Sequence, residues 1–180
     1  MSIYISILRG INVSGHRTIK MDALKMMYKT LGFDNIHSYV QSGNVIFSSM
    51  KKDTKALAKQ ITEQIEKEFE LEVPVIVLTK EQLEKTILEN PFANDKTKNE
   101  NFFHVTFLAD EPTKPNLEEI STKLLENEAF HYTYNAIYLY CPNGYGKTKL
   151  TNTFLENKLK VLATTRNWKT TNELLKMASK

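Results

Sequence analysis

Apolar residues change their spacing in a fixed order along this chain, and that order limits the open folds more than any motif does. Ile3, Ile5 and Ile7 alternate with Tyr4 and Ser6, the period of two that a half-buried strand requires. Leu24, Met27, Tyr28 and Leu31 then recur at helical spacing, with Gly32 placed to end the helix. IHSYVQ and NVIFS read as two strands joined by a tight turn at Ser42-Gly43. Leu57, Ile61, Ile65 and Phe69 mark one face of a longer helix, and VPVIVLT reads as a short apolar strand. KEQLEKTILEN reads as a connecting helix, and NPFANDKTKNEN breaks every period. The order then starts again. FFHVTFLA predicts a strand and Leu117, Ile120, Leu124 and Leu125 a helix. FHYTY and AIYLYC predict a hairpin and TKLTNTFLENKL a helix. A short strand near Val161 and a last helix carrying Leu174, Leu175 and Met177 follow.

This order predicts an α+β fold of two ferredoxin-like (βαββαβ) units in tandem, with mainly antiparallel sheets. The expected boundaries are 1–89 for the first unit with its connecting helix, 90–101 for a linker, and 102–180 for the second unit with its terminal helix. The repeat lies in element order alone, since the residues themselves do not repeat. No apolar run approaches the roughly 20 residues that span a bilayer, and the amino terminus lacks a secretory pattern. A lone cysteine, Cys141, fits a reducing cytoplasm. A net charge of +3 is too small to imply nucleic acid by itself. Its placement says more. Residues 1–29 hold Arg9, Arg17, Lys20, Lys25 and Lys29 against Asp22 alone, while residues 100–128 are acidic.

In the ferredoxin-like plan the loop after the first strand and the turn between the second and third lie at one end. Those segments are RGINVSGHRTIK and QSGN, so Arg9, Asn12, Lys20, Gln41, Ser42 and Asn44 should crowd one rim. That is a collection of donors suited to an anion.

Strand, glycine loop, Gly146-Lys147-Thr148 and helix in series raise the question of a nucleotide phosphate loop. The pattern G-x-x-x-x-G-K-[ST] needs its first glycine at position 141, where Cys141 stands, followed by Pro142, which has no amide to donate. A glycine turn with Thr148 as a helix cap is the expected reading. An RNA-recognition platform would use Tyr4, but Asn44 and Ile46 occupy the other two stacking positions. His16, His37, His104 and His131 lack metal-ligand spacing, so no metal and no cofactor is expected. Ser42 lacks a nucleophile elbow, Cys141 reads as a small buried hydrophobe, and Met21, Met26 and Met27 read as helix core.

LRGINVSGHRTIK (Leu8 to Lys20), Leu31 to Phe33, and YVQSGNVIF (Tyr39 to Phe47) together resemble a bacterial family called domain of unknown function 1697. PNGYGKTKL and ATTRNWKT (Ala163 to Thr170) are similar to its later motifs, and Ser14 stands where many relatives have glycine. The resemblance implies an α+β fold and a cytoplasmic protein. It carries no reaction, cofactor or catalytic residue.

The expected function is therefore a binding module for an anionic ligand: nucleic acid, a nucleotide or another phosphate-bearing molecule. Arg9, Lys20 and Arg166 would supply charge, with Lys147 a weaker candidate. Asn12, Gln41, Ser42, Asn44 and Asn167 would supply hydrogen bonds, and Trp168 a stacking face. An enzyme acting on a small phosphorylated or carboxylated metabolite is the alternative, and a purely structural role for these motifs is the third. Because GYGKT precedes the last long helix of the second unit and TTRNW follows it, the two motifs are expected about one helix length apart, roughly 15 Å.

Overall fold

The computed structural model describes residues 1–180, which divide into two compact units. The first comprises Met1–Glu84 with Leu174–Lys180, and the second Lys85–Glu173. In the first, β1 (Ser2–Leu8) leads through α1 (Met21–Thr30) to β2 (Asp34–Tyr39) and β3 (Asn44–Ser49). α2 (Thr54–Phe69) then returns the chain to β4 (Val75–Thr79), giving a four-stranded antiparallel sheet of order β2-β3-β1-β4. After α3 (Lys80–Leu88) the second unit runs β5 (Phe103–Leu108), α4 (Leu117–Ser121), β6 (Ala129–Tyr132) and β7 (Ala136–Tyr140). α5 (Asn152–Leu159), β8 (Ala163–Asn167) and α6 (Trp168–Ala178) follow, and the sheet order is β6-β7-β5-β8.

The two sheets share their wiring down to single hydrogen bonds. Leu8 N–H donates to Gly43 O (2.8 Å) and Arg9 N–H to Pro74 O (2.9 Å). At the matching points Leu108 N–H donates to Asn135 O (3.1 Å) and Ala109 N–H to Leu162 O (2.9 Å). Leu8, Arg9, Gly43 and Asn44 thus correspond to Leu108, Ala109, Asn135 and Ala136.

The first core forms where Tyr4, Leu8, Val45, Phe47, Val75 and Val77 meet the apolar faces of α1 and α2. Phe47 packs its ring on Phe33 at 4.5 Å and on Tyr28 at 5.4 Å. Tyr28 and Ser6 share a hydrogen bond of 2.7 Å, so the phenol is buried with its polar atom satisfied. α2 starts cleanly because Asp53 accepts from Lys55 N–H and Ala56 N–H.

Alternation along β1 singles out Ile3, Ile5 and Ile7 as the inward face, but the structure points Tyr4 and Leu8 at the helices instead. Ile5 and Ile7 lie on the other face and are buried too, whereas Ile3 is 36% exposed. A strand covered on both faces carries apolar residues on both, and alternation alone cannot choose between them. In the second sheet Leu108, Ile137, Leu139 and Ala163 face α4 and α5, while Phe103, Val105, Phe107 and Tyr138 are buried on the other side. With their helix-free faces buried, neither sheet offers an RNA-recognition platform. Tyr4 instead donates its hydroxyl to Lys51 O.

Four other expectations are corrected. The short strand expected near Val161 starts two residues later, as β8 (Ala163–Asn167), so Arg166 is a strand residue. The helix marked by Leu117 to Leu125 is only five residues long. α5 is capped by Thr151, which accepts from Phe154 N–H, and not by Thr148. Met26 is 60% exposed while its neighbour Met27 is buried, because position 26 falls on the outer face of α1. Across residues 90–102, Pro91–Asn94 and Glu100–Phe102 form 3-10 turns capped by Asn90 and Asn99. Lys98 pairs with Asp95 there at 2.7 Å.

Candidate functional site

The loop between β1 and α1 turns back on itself through left-handed backbone at Gly10, Asn12, Ser14, Gly15 and Arg17. Each non-glycine residue in that region costs about 1–2 kcal/mol, so something must hold the loop. Asn12 does so. Its Nδ2 donates to Ile19 O (2.9 Å) and Gln41 O (2.8 Å), and its Oδ1 accepts from Ile19 N–H (2.8 Å). The loop is thereby fastened both to itself and to the β2–β3 turn. Ile11 and Ile19 anchor its two legs in the core.

The turn is built with equal closeness. Gly43 has φ +83°, and a Cβ there would stand 2.7 Å from Leu8 Cβ and 2.8 Å from Ile11 Cδ1. Asn44 is fully buried and donates to Tyr39 O and Ser42 Oγ, both at 3.0 Å. RGIN and QSGN therefore share one end of the first sheet, as topology requires. Their asparagines spend both amide hydrogens inside the protein.

What this frame presents to solvent is Lys20, Gln41, His16 and Arg17, with Arg9 and Ser42 half-buried. Arg17, outside the sequence-derived site, has its guanidinium folded back over Gly10, Nη1 lying 3.4 Å from where a Cβ would be. The clue was the run of turn formers at Asn12, Ser14 and Gly15, which pairs Val13 with His16 and swings Arg17 back toward the strand. Lys20 stands at the start of α1, which has no side-chain cap, so the amino-terminal N–H groups there are not closed by the protein's own side chains. Asp22 in the first turn is engaged by Lys25 at 2.9 Å, and that bond and charge hold its carboxyl below the usual range. A groove of about 530 Å³ lies further along α1, lined by Asp22, Lys25, Lys29, Asp34 and Asn35 with Met26, Phe33 and Ile36, so its charges are mixed.

The second unit gathers its motifs at the opposite end of its sheet. β8 runs back beside α5, so TTRNW ends where α5 begins, and Thr165 Oγ1 donates to Asn152 Oδ1 at 2.6 Å. The expected separation of GYGKT from TTRNW is overturned, because TTRN is itself the returning strand. Tyr145 stacks on His104 at 4.7 Å, and His104 pairs in register with Asn167. Burial pulls down the pKa of His104, with its Phe102 carbonyl contact opposing the shift. Burial likewise lowers that of Arg166, with the nearby Tyr145 phenol opposing. Arg166 Nη1 donates to Thr165 O, Asn167 Oδ1 accepts from Thr170 N–H, and Trp168 meets Phe103 edge-on at 6.2 Å.

Lys147 is exposed in a 3-10 turn, while Thr148 is buried and donates to Glu128 Oε2 at 3.2 Å. A phosphate loop needs that hydroxyl on magnesium, so this turn is not one. Burial, with Glu128 nearby, pushes the Cys141 thiol up to about 12, which leaves it protonated and unreactive. No group of three or more His, Cys, Asp or Glu side chains is placed to hold a metal ion, and no helix is long and apolar enough to cross a membrane.

Fold and rim define an α+β protein of two antiparallel four-stranded units, the first with a braced basic loop at one end. The chain belongs to the family described as protein of unknown function DUF1697, whose model matches residues 1–138. That span includes the RGIN loop and the QSGN turn and stops before GYGKT and TTRNW. No curated protein matches. Among solved structures, the chain is similar to the conserved bacterial protein SP0830 from Streptococcus pneumoniae. The two share 22% identity and a TM-score of 0.67 over 98% of each chain, a likeness of fold.

Proposed function

We propose that the protein is a binding module for an anionic, phosphate-bearing ligand, which docks on the loop between β1 and α1. The carrying observation is that loop's construction. Backbone strain at Asn12, Ser14 and Arg17 is held by the Asn12 brace, and the result is an exposed Arg17 and Lys20 beside an uncapped helix start. Helix amino ends favour anions, and arginine adds a planar fork of donors. Asn12 and Asn44 act here as framework, while Arg17, Lys20 and Gln41 make contact, with Arg9 behind them. Each unit is read as a ferredoxin-like βαββαβ repeat, the pair forming a tandem, and the free buried Cys141 fits a cytoplasmic setting.

Calorimetric titration with linear polyphosphate at low salt tests this. Binding should weaken as salt rises, and Arg17→Ala and Lys20→Ala should each weaken it about tenfold at an unchanged melting temperature. No heat of binding, or binding indifferent to both substitutions, overturns the reading.

A further inference from the structure

Two exposed valines stand at the same rim. Val13 is 55% and Val40 50% exposed, and the bond from Asn12 to Gln41 O keeps their two segments side by side. Val40 has φ +51°, a left-handed conformation that β-branched residues almost never adopt and that turns normally assign to glycine or asparagine. Val13 sits between left-handed Asn12 and Ser14 at a loop tip whose residues 13–18 are all exposed. A strained valine with half its surface in water does nothing for the fold that glycine would not do better.

The patch therefore combines aliphatic methyl groups, the Arg17 and Lys20 cations and the Gln41 amide on one exposed rim. Inorganic polyphosphate has no use for the valines. A strand of nucleotides does, because it alternates charged phosphates with flat apolar bases that pack by dispersion and carry amide-compatible edges. We propose that the rim's ligand is a single-stranded nucleic acid, its bases lying over Val13 and Val40 and its phosphates meeting Arg17 and Lys20. This rests on the anion-binding reading above and narrows it to one class.

The test uses the full chain with three probes: a labelled oligothymidylate followed by fluorescence anisotropy, linear polyphosphate of equal charge, and phosphatidylserine vesicles. The variants are Val40→Gly, which the backbone accommodates, and Val13→Ser. Wild type should bind oligothymidylate more tightly than polyphosphate. Each variant should weaken oligothymidylate binding about five- to tenfold and leave polyphosphate binding within about twofold. Oligothymidylate binding unmoved by both variants, with polyphosphate still bound, overturns this inference and spares the anion site. Vesicle binding that needs Val40, without oligothymidylate binding, overturns it in favour of a membrane surface. Failure to bind any probe overturns both readings.

Discussion

The two units are wired alike yet decorate opposite ends of their sheets. Where the first has Arg9, Gly43 and Asn44, the second has Ala109, Asn135 and Ala136 at the points matched by hydrogen bonding. The first sheet's β1 exit carries a strained, braced, basic loop. The second leaves its β5 exit through Asp110, Glu111 and two prolines to a five-residue helix, and places Tyr145, Arg166 and Trp168 at its other end. Shared topology thus fixes which loops are neighbours but not which end acquires a site.

The largest test of this contrast is Gly43→Ala against Asn135→Ala. The first adds a Cβ at positive φ against Leu8 and should cost about 3 kcal/mol or more in chemical denaturation, the second under about 1 kcal/mol. Equal losses would erase the distinction. Asn12→Ala removes a brace that makes three hydrogen bonds and should cost about 2 kcal/mol. Arg166→Ala should cost about 1–2 kcal/mol, by stripping a half-buried side chain that bonds Thr165 O from the second unit. A stable Arg166→Ala protein would move that residue from framework to contact. Val40→Gly should gain about 1 kcal/mol by relieving the left-handed valine. Lys147→Ala should change neither melting temperature nor polyphosphate binding.

The contrast also marks what the sequence made legible. Element order and the meeting of RGIN with QSGN follow from local periodicity and the connectivity it implies, because a hairpin and a preceding crossover leave little choice of end. The direction of the β1 side chains did not follow, since Tyr4 and Ile5 are equally apolar and both sides of the strand are buried. β8 was expected near Val161 and not at Ala163–Asn167 because Thr164, Thr165, Arg166 and Asn167 carry no alternating apolar signal. They are held by pairing with β5, a contact between residues about sixty apart in sequence. The roles of Asn12 and Asn44 were invisible for a similar reason. A sequence shows that an asparagine can donate, while only the fold shows that its hydrogens are already given to Gln41, Ile19, Tyr39 and Ser42. Arg17 depended on where a left-handed turn would deliver it.

Gly43 has a consequence for how such a chain can vary. Every single-nucleotide missense change to a glycine codon installs at least one side-chain carbon, and here that carbon would meet Leu8 and Ile11 within 3 Å. Position 43 has no silent neighbour in protein space, because relief would require simultaneous changes at positions 8 and 11, both in the core. A saturation library selected only for soluble folded protein should therefore show a near-empty column at residue 43 and a broadly filled one at residue 135. Such a column would record a steric lock on the turn, and it would do so whatever the rim binds.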